Sequence, residues 1–264
     1  MNCLEKYRSR LIGEINRNLR NVLAKLEEES VHNFRVGVKK LTALYYFLSE
    51  VDNNLKAKRI LKPYRSLARS IGNIRDGHIA VHLLQELDEI NLTESGVLIK
   101  VVRSKVRKDY RLLQQFVLSD AQIPIRVPTI RSTGISESAI LRQKPVVLNR
   151  LLQQILRTGD RMNAKMWHKK RIQLKRYQHK LDAFCFCPGH KSDEDELKQI
   201  KMLQQLLGDW HDLIVTAEIL QSLRGVEAEA GIAIAVMKKQ DRLLLGSAKI
   251  YLNMFAIWHQ NRQI

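Results

Sequence analysis

The sequence is poor in residues that interrupt or staple a chain. Five prolines and twelve glycines are spread over 264 residues, so few positions break a regular element. Three cysteines, Cys3, Cys185 and Cys187, are too few and too odd in number for a disulfide framework, and they predict a reduced, cytoplasmic chain. Aromatic residues make up only 6%. No apolar run approaches the ~20 residues of a transmembrane helix. The opening MNCLEKYRSR lacks the apolar stretch of a secretory signal. No segment alternates apolar and polar residues with period two, so the usual sign of a half-buried strand is missing.

Positive charge is abundant. Lys and Arg number 45 against 27 Asp and Glu, a formal net charge of +18. Hydrophobic residues at 45% exclude a disordered polybasic chain, and the length is ample for a core. Residues 1–136 carry 24 basic and 14 acidic residues, and residues 137–264 carry 21 and 13, so the surplus belongs to both halves and not to a tail. Such a surplus repels itself unless a polyanion neutralises it, which makes an acidic partner the first functional expectation.

Leu, Lys, Arg, Glu and Gln fill the long stretches between breakers, and apolar residues recur at helical spacing. Leu4, Leu11, Ile15, Leu19, Val22 and Leu26 form one stripe; Phe34, Val38, Leu41, Tyr45 and Leu48 form another. The chain reads as all-α. Sliding it against itself reveals an internal repeat with a shift of 136 residues. His32, Arg35, Lys39 and Lys40 fall on His168, Arg171, Lys175 and Arg176; Lys62 and Arg65 fall on Lys198 and Lys201; Gly72 and Asp76 fall on Gly208 and Asp212. The spacing predicts helices over about 3–29, 31–51, 57–90 and 95–119, then 137–165, 167–184, 193–222 and 227–260. The first four-helix repeat spans 3–122 and the second 137–264, with residues 123–136 as a Pro/Gly/Ser-containing linker. Ser192 reads as an N-cap, Pro63 as tolerated near a helix start, and Pro145 as a kink or restart. Two such units can pack about a pseudo-twofold axis.

The cations sit on stripes. His32, Arg35 and Lys39 are spaced i, i+3, i+7, away from the apolar face. His168, Arg171 and Lys175 repeat this, opposed by Trp167, Leu174, Tyr177 and Leu181, and His179 falls on the same basic face. Lys62, Arg65 and Arg69 line the third helix; its counterpart keeps Lys198 and Lys201 but has Gln205 in place of Arg69. Lys100, Arg103, Arg107 and Arg111 form a stripe on the fourth. A single cationic stripe is ordinarily a solvated helix face. These have few acidic partners at i±4 and recur in both halves, which suits a multivalent anion: Arg forks pair with phosphate oxygens and Lys acts as a point charge. Gly72 and Gly208 permit close approach of a helix or a ligand, and Asp76 and Asp212 read as orienting partners for neighbouring cations. His211-Asp212 has Arg75-Asp76 as its counterpart, and Arg is no metal ligand. Cys185, Cys187 and His190 lack a fourth ligand nearby. The sequence has no P-loop, no GxGxxG, no nucleophile triad and no cage for Mg²⁺, so no catalytic residue, metal or cofactor is expected.

Four motifs in order carry a resemblance: H-x-x-R-x-x-x-K-K at His32–Lys40, IGNIRD at Ile71–Asp76, H-x-x-R-x-x-x-K-R at His168–Arg176, and LLGDWHD at Leu206–Asp212. Together they resemble the CHAD family, the conserved-histidine α-helical domain, over nearly the whole chain. The resemblance implies one CHAD-like domain over 1–264, built as two four-helix bundles about a pseudo-twofold axis with a basic channel between them. It also implies non-enzymatic binding of inorganic polyphosphate. Thr42, Gln178 and His179 stand where the family pattern usually has basic or aromatic residues, and His211 replaces the Arg of the first RD pair. The chain lacks the ExExK motif of the triphosphate-tunnel domain attached to some relatives.

The expected ligand is polyphosphate or another linear polyanion. Its expected contacts are His32, Arg35, Lys39, Lys62, Arg65, Arg69, His168, Arg171, Lys175, Lys198 and Lys201, with Lys40, Arg176 and His179 as further choices. A membrane partner is not expected, and association with polyphosphate granules accompanies the cytoplasmic expectation. A nucleic-acid-binding protein is the alternative, although no aromatic platform is interleaved with the cations. A metal-dependent phosphohydrolase using the His-Asp pairs is the third reading.

Overall fold

Apolar stripes at helical spacing become the buried faces of helices. In the computed structural model, residues 3–90, 94–119, 127–157, 162–187 and 192–261 are described. They form eight α-helices: α1 (Cys3–Lys25), α2 (Glu28–Val51), α3 (Ala57–Glu89), α4 (Gly96–Ser119), α5 (Glu137–Leu156), α6 (Ala164–Cys185), α7 (Ser192–Gln221) and α8 (Glu227–Asn261). There is no strand among the described residues. The starts of α2 and α6 lie 136 residues apart, the shift of the sequence repeat. No helix among the described residues is long and apolar enough to cross a membrane.

Three local details depart from the expectation. Leu26, the last member of the first apolar stripe, lies outside α1; its φ of 49° turns the chain into α2 three residues early. Helix α5 runs on through Pro145 and does not restart there. It ends at Leu156, well short of the predicted 165. The α5 terminus is held by Lys170 of α6, whose buried ammonium donates to the carbonyls of Gln154, Ile155 and Arg157. These are C-terminal carbonyls with no partner inside their own helix. Burial and the neighbouring Lys169 lower the Lys170 pKa to about 8. The expected cap at Ser192 concerns a side chain outside the described set; Ser192 is the first residue of α7.

The chain divides into two compact units. Unit 1 comprises residues 1–68 and 122–204, and unit 2 comprises 69–121 and 205–264. The cuts at 68/69 and 204/205 are again 136 residues apart. Each unit draws helices from both sequence halves, so the boundary between compact units is not the linker at 123–136. Unit 1 holds α1, α2, α5, α6 and the N-terminal parts of α3 and α7; unit 2 holds the remainder of α3 and α7 with α4 and α8.

In unit 1, α2 packs against α1, α5 and α6, and α6 also packs against α5. Phe34, Val38, Leu41, Tyr45 and Leu48 are buried with Trp167, Leu174, Tyr177 and Leu181. Close approach of α1 and α2 requires Gly37, where an added Cβ would stand 2.6 Å from Cγ1 of Ile15. The described part of the linker is anchored here. Glu5, in contact with Arg8, accepts from the Ile130 amide at 2.7 Å, Arg8 donates to the Val127 carbonyl at 3.3 Å, and the Tyr45 hydroxyl donates to the Pro128 carbonyl. Burial pushes the Tyr45 hydroxyl pKa up to about 12. Ser136 then caps α5 by accepting from the Ala139 amide at 3.2 Å.

The sulfurs of Cys3 and Cys187 form a disulfide. This corrects the expectation of a wholly reduced chain: cysteines 184 residues apart in sequence meet where the start of α1 reaches the end of α6. Unit 2 has its own core, with Ala80, Leu84, Leu98 and Val102 from α3 and α4 against Leu213, Leu220, Ala233 and Met237 from α7 and α8.

Candidate functional site

Helices α2 and α6, which carry the two H-x-x-R-x-x-x-K runs, are direct neighbours inside unit 1. Each buries its aromatic and aliphatic stripe, which leaves its basic face turned outward. His32, Lys39 and His168 are exposed, and Arg35, Arg171, Lys175 and Lys40 are half-buried. Arg176, Lys62, Arg65, Lys198 and Lys201 are exposed on α6 and on the N-terminal parts of α3 and α7. Every expected contact except Arg69 thus belongs to unit 1; Arg69 is the first residue of unit 2. Gly72, Asp76, Gly208 and Asp212 belong to unit 2 as well.

The best-defined join between the two motif helices is at Asp182. Its carboxylate lies 3.5 Å from the Lys40 ammonium of α2 and 3.8 Å from Nδ1 of His179. Burial pushes the Asp182 carboxyl up, but the contact with His179 and the charges of Lys40 and Lys201 outweigh it and hold the pKa below the usual value. His179 was expected on the basic surface and is instead buried. Its burial lowers its pKa below 6.5; Asp182 opposes the shift, and Lys40 and Lys39 add to it. His179 therefore supports the cationic face from beneath.

A second anchor lies further along the α2–α6 contact. Glu50 of α2 accepts from the buried Lys180 of α6 and lies 3.6 Å from Arg150 of α5. Arg65 donates to the Tyr46 hydroxyl at 3.0 Å, tying α3 to α2. Lys198 lies 3.4 Å from the exposed Asp195, one turn earlier, a contact that water and salt screen heavily. Asp182 and Glu50 escaped the sequence reading. The signal that could have found them is their position on the face turned toward the partner helix.

The glycines divide differently from expectation. An added Cβ at Gly208 would meet nothing within 4 Å, so helix packing does not require glycine there. The close approach in unit 2 is at Gly77, where a Cβ would stand 2.3 Å from Cγ2 of Val106 on α4. Among the described residues no cluster of three or more His, Cys, Asp or Glu is arranged to hold a metal ion. Cys187 of the Cys185/Cys187/His190 patch is bonded to Cys3, and His190 lies outside the described residues.

An all-helical chain with paired His/Arg/Lys helices defines a class, and the family comparison names it. The CHAD domain model matches residues 7–221, and the chain belongs to the CHAD domain family. Two solved structures share the fold. The crystal structure of the CHAD domain from the plant Ricinus communis is 21% identical with a TM-score of 0.76, over 95% of this chain and 90% of that one. PptA from Streptomyces chartreusis is 14% identical with a TM-score of 0.62, over 96% of this chain and 97% of that one. No curated protein matches the chain in sequence.

Proposed function

We propose that the protein binds inorganic polyphosphate without transforming it, on the cationic faces that α2, α6 and the N-terminal parts of α3 and α7 present in unit 1. The observation that carries this reading is the side-by-side packing of α2 and α6, which gathers both H-x-x-R-x-x-x-K runs into one compact unit. Membership of the CHAD family supports it. A linear string of phosphates meets Arg forks and Lys point charges at successive helical turns, and binding draws on charge neutralisation and release of counterions. Half-burial of Arg35, Arg171 and Lys175 limits their freedom in the empty protein, so less side-chain entropy is lost on binding. The carboxylates at Asp182 and Glu50 hold the cationic helices in place, and no group here is assigned a chemical step.

The test is displacement of labelled long-chain polyphosphate at near-physiological salt by unlabelled polyphosphate, double-stranded DNA or single-stranded RNA, matched by charge. Polyphosphate should displace best; equal displacement by all three would reduce the site to a generic cationic surface. Replacing Arg35 and Arg171 together by Glu should abolish binding, with the circular dichroism spectrum unchanged. Normal binding by that double variant would place the ligand elsewhere.

A further inference from the structure

Helix α8 has two apolar faces, and the core uses one. Ala230, Ala233, Met237, Ala248, Leu252 and Phe255 are buried along one side. Ile232, Leu243, Ile250, Met254 and Ile257 are each 58–69% exposed. At about 100° per residue these five fall within one narrow stripe on the side opposite the buried face. Half-buried Val236 belongs to the stripe too, and Val236, Leu243, Ile250 and Ile257 recur every seven residues. That is the spacing with which one helix presents a continuous seam to another. Gly246, on the same side, has nothing within 4 Å of where a Cβ would stand. From Ile232 to Ile257 the stripe runs about 38 Å at 1.5 Å per residue. Large side chains exposed in this ordered way are not the scattered apolar residues of an ordinary surface.

We infer that α8 is a self-association surface, on which α8 of a second copy of this chain packs antiparallel. Charge selects this occupant. The chain carries +18, which opposes contact between copies at most of its surface. Helix α8 carries four basic residues against three acidic, so two copies of it meet with little mutual repulsion. Its near neutrality also argues against an anionic membrane, which attracts a strongly basic polar face. Orientation follows from Lys239, which lies on the stripe between Val236 and Leu243. In a parallel pair it would face its own copy across the seam. An antiparallel pair that sets Ile232 beside the partner's Ile257 places Lys239 against the partner's Ile250 and Leu243 over the partner's Gly246. The stripe at the ~10 Å width of a helix covers about 400 Å² on each copy, and its polar rims bring the pair toward the roughly 1,200 Å² at the lower edge of specific interfaces. A reversible dimer of modest affinity fits that area.

Sedimentation velocity of the full chain from low to high micromolar concentration tests the inference. A concentration-dependent shift from monomer to dimer is expected. Leu243→Glu with Ile250→Glu should leave only monomer, with unchanged helicity because both positions are exposed in the single chain. A wild-type chain that stays monomeric at high micromolar concentration, or a double variant that still dimerises, overturns it. Orientation is read in a Cys185→Ser background. Copies carrying Ile232→Cys should cross-link to copies carrying Ile257→Cys in a mixture, and neither should cross-link with itself. Self-cross-linking through position 232 would refute the antiparallel arrangement.

Discussion

Asp182 is one carboxylate among cations, and its surroundings decide what it does. It faces Lys40 across the α2–α6 contact and His179 on its own helix. The buried imidazole is where pH acts. His179 has a folded pKa below 6.5, so the unfolded chain takes up a proton at a higher pH than the folded one. Its contribution to stability is intact above about pH 6.5 and is lost as pH falls from there toward the lower folded value. Asp182, with a folded pKa below 3.8, adds a separate loss only below that value. His179→Gln should therefore flatten the fall in melting temperature just below pH 6.5 and leave the more acidic limb in place. Thermal melts of the two proteins across that range check this; identical curves would remove His179 from the account.

Element-level packing is set by two glycines that are not the ones the repeat emphasises. Gly37 lets α1 approach α2 in unit 1, and Gly77 lets α3 approach α4 in unit 2. Alanine is the better helix former by about 1 kcal/mol, so helix propensity alone predicts that Gly77→Ala stabilises. The structure predicts the opposite, because the new methyl would fall 2.3 Å from a Val106 methyl. Overpacking of this kind costs about 1–3 kcal/mol. Chemical denaturation should show Gly77→Ala as destabilised and the pair Gly77→Ala, Val106→Ala as partly restored. Gly208→Ala, with open space at its Cβ, should show no such loss.

For the whole molecule, the Cys3–Cys187 bond is a long-range covalent constraint, its ends 184 positions apart in sequence. A cross-link of that separation restricts the unfolded chain far more than the folded one, a contribution of about 2–4 kcal/mol in typical cases. Protein isolated without reductant should alkylate at one cysteine, Cys185. Reductant should lower the melting temperature of the wild type but not that of Cys3→Ser. Three alkylated cysteines before reduction would instead match the reduced chain that cysteine counting predicts. The bond joins α1 to α6 within unit 1, so its loss should weaken that unit more than unit 2.

Helix identity, approximate helix ends and the exposed cations follow from local rules, because an apolar stripe at i, i+3, i+4 has one way to be buried. The four motifs likewise carried the family, since they depend on residue order alone. The partners of those helices were not legible. That α2 meets α6, that compact units draw from both halves, and that Glu5 and Arg8 anchor the linker all depend on contacts between residues far apart in sequence. The burial of His179 is the clearest case. Its spacing puts it with the cations, but the depth of a side chain at the edge of a stripe depends on which helix lies against it. Local periodicity fixes the direction in which a side chain leaves its own helix; only tertiary packing decides whether it meets water, a carboxylate or a second helix.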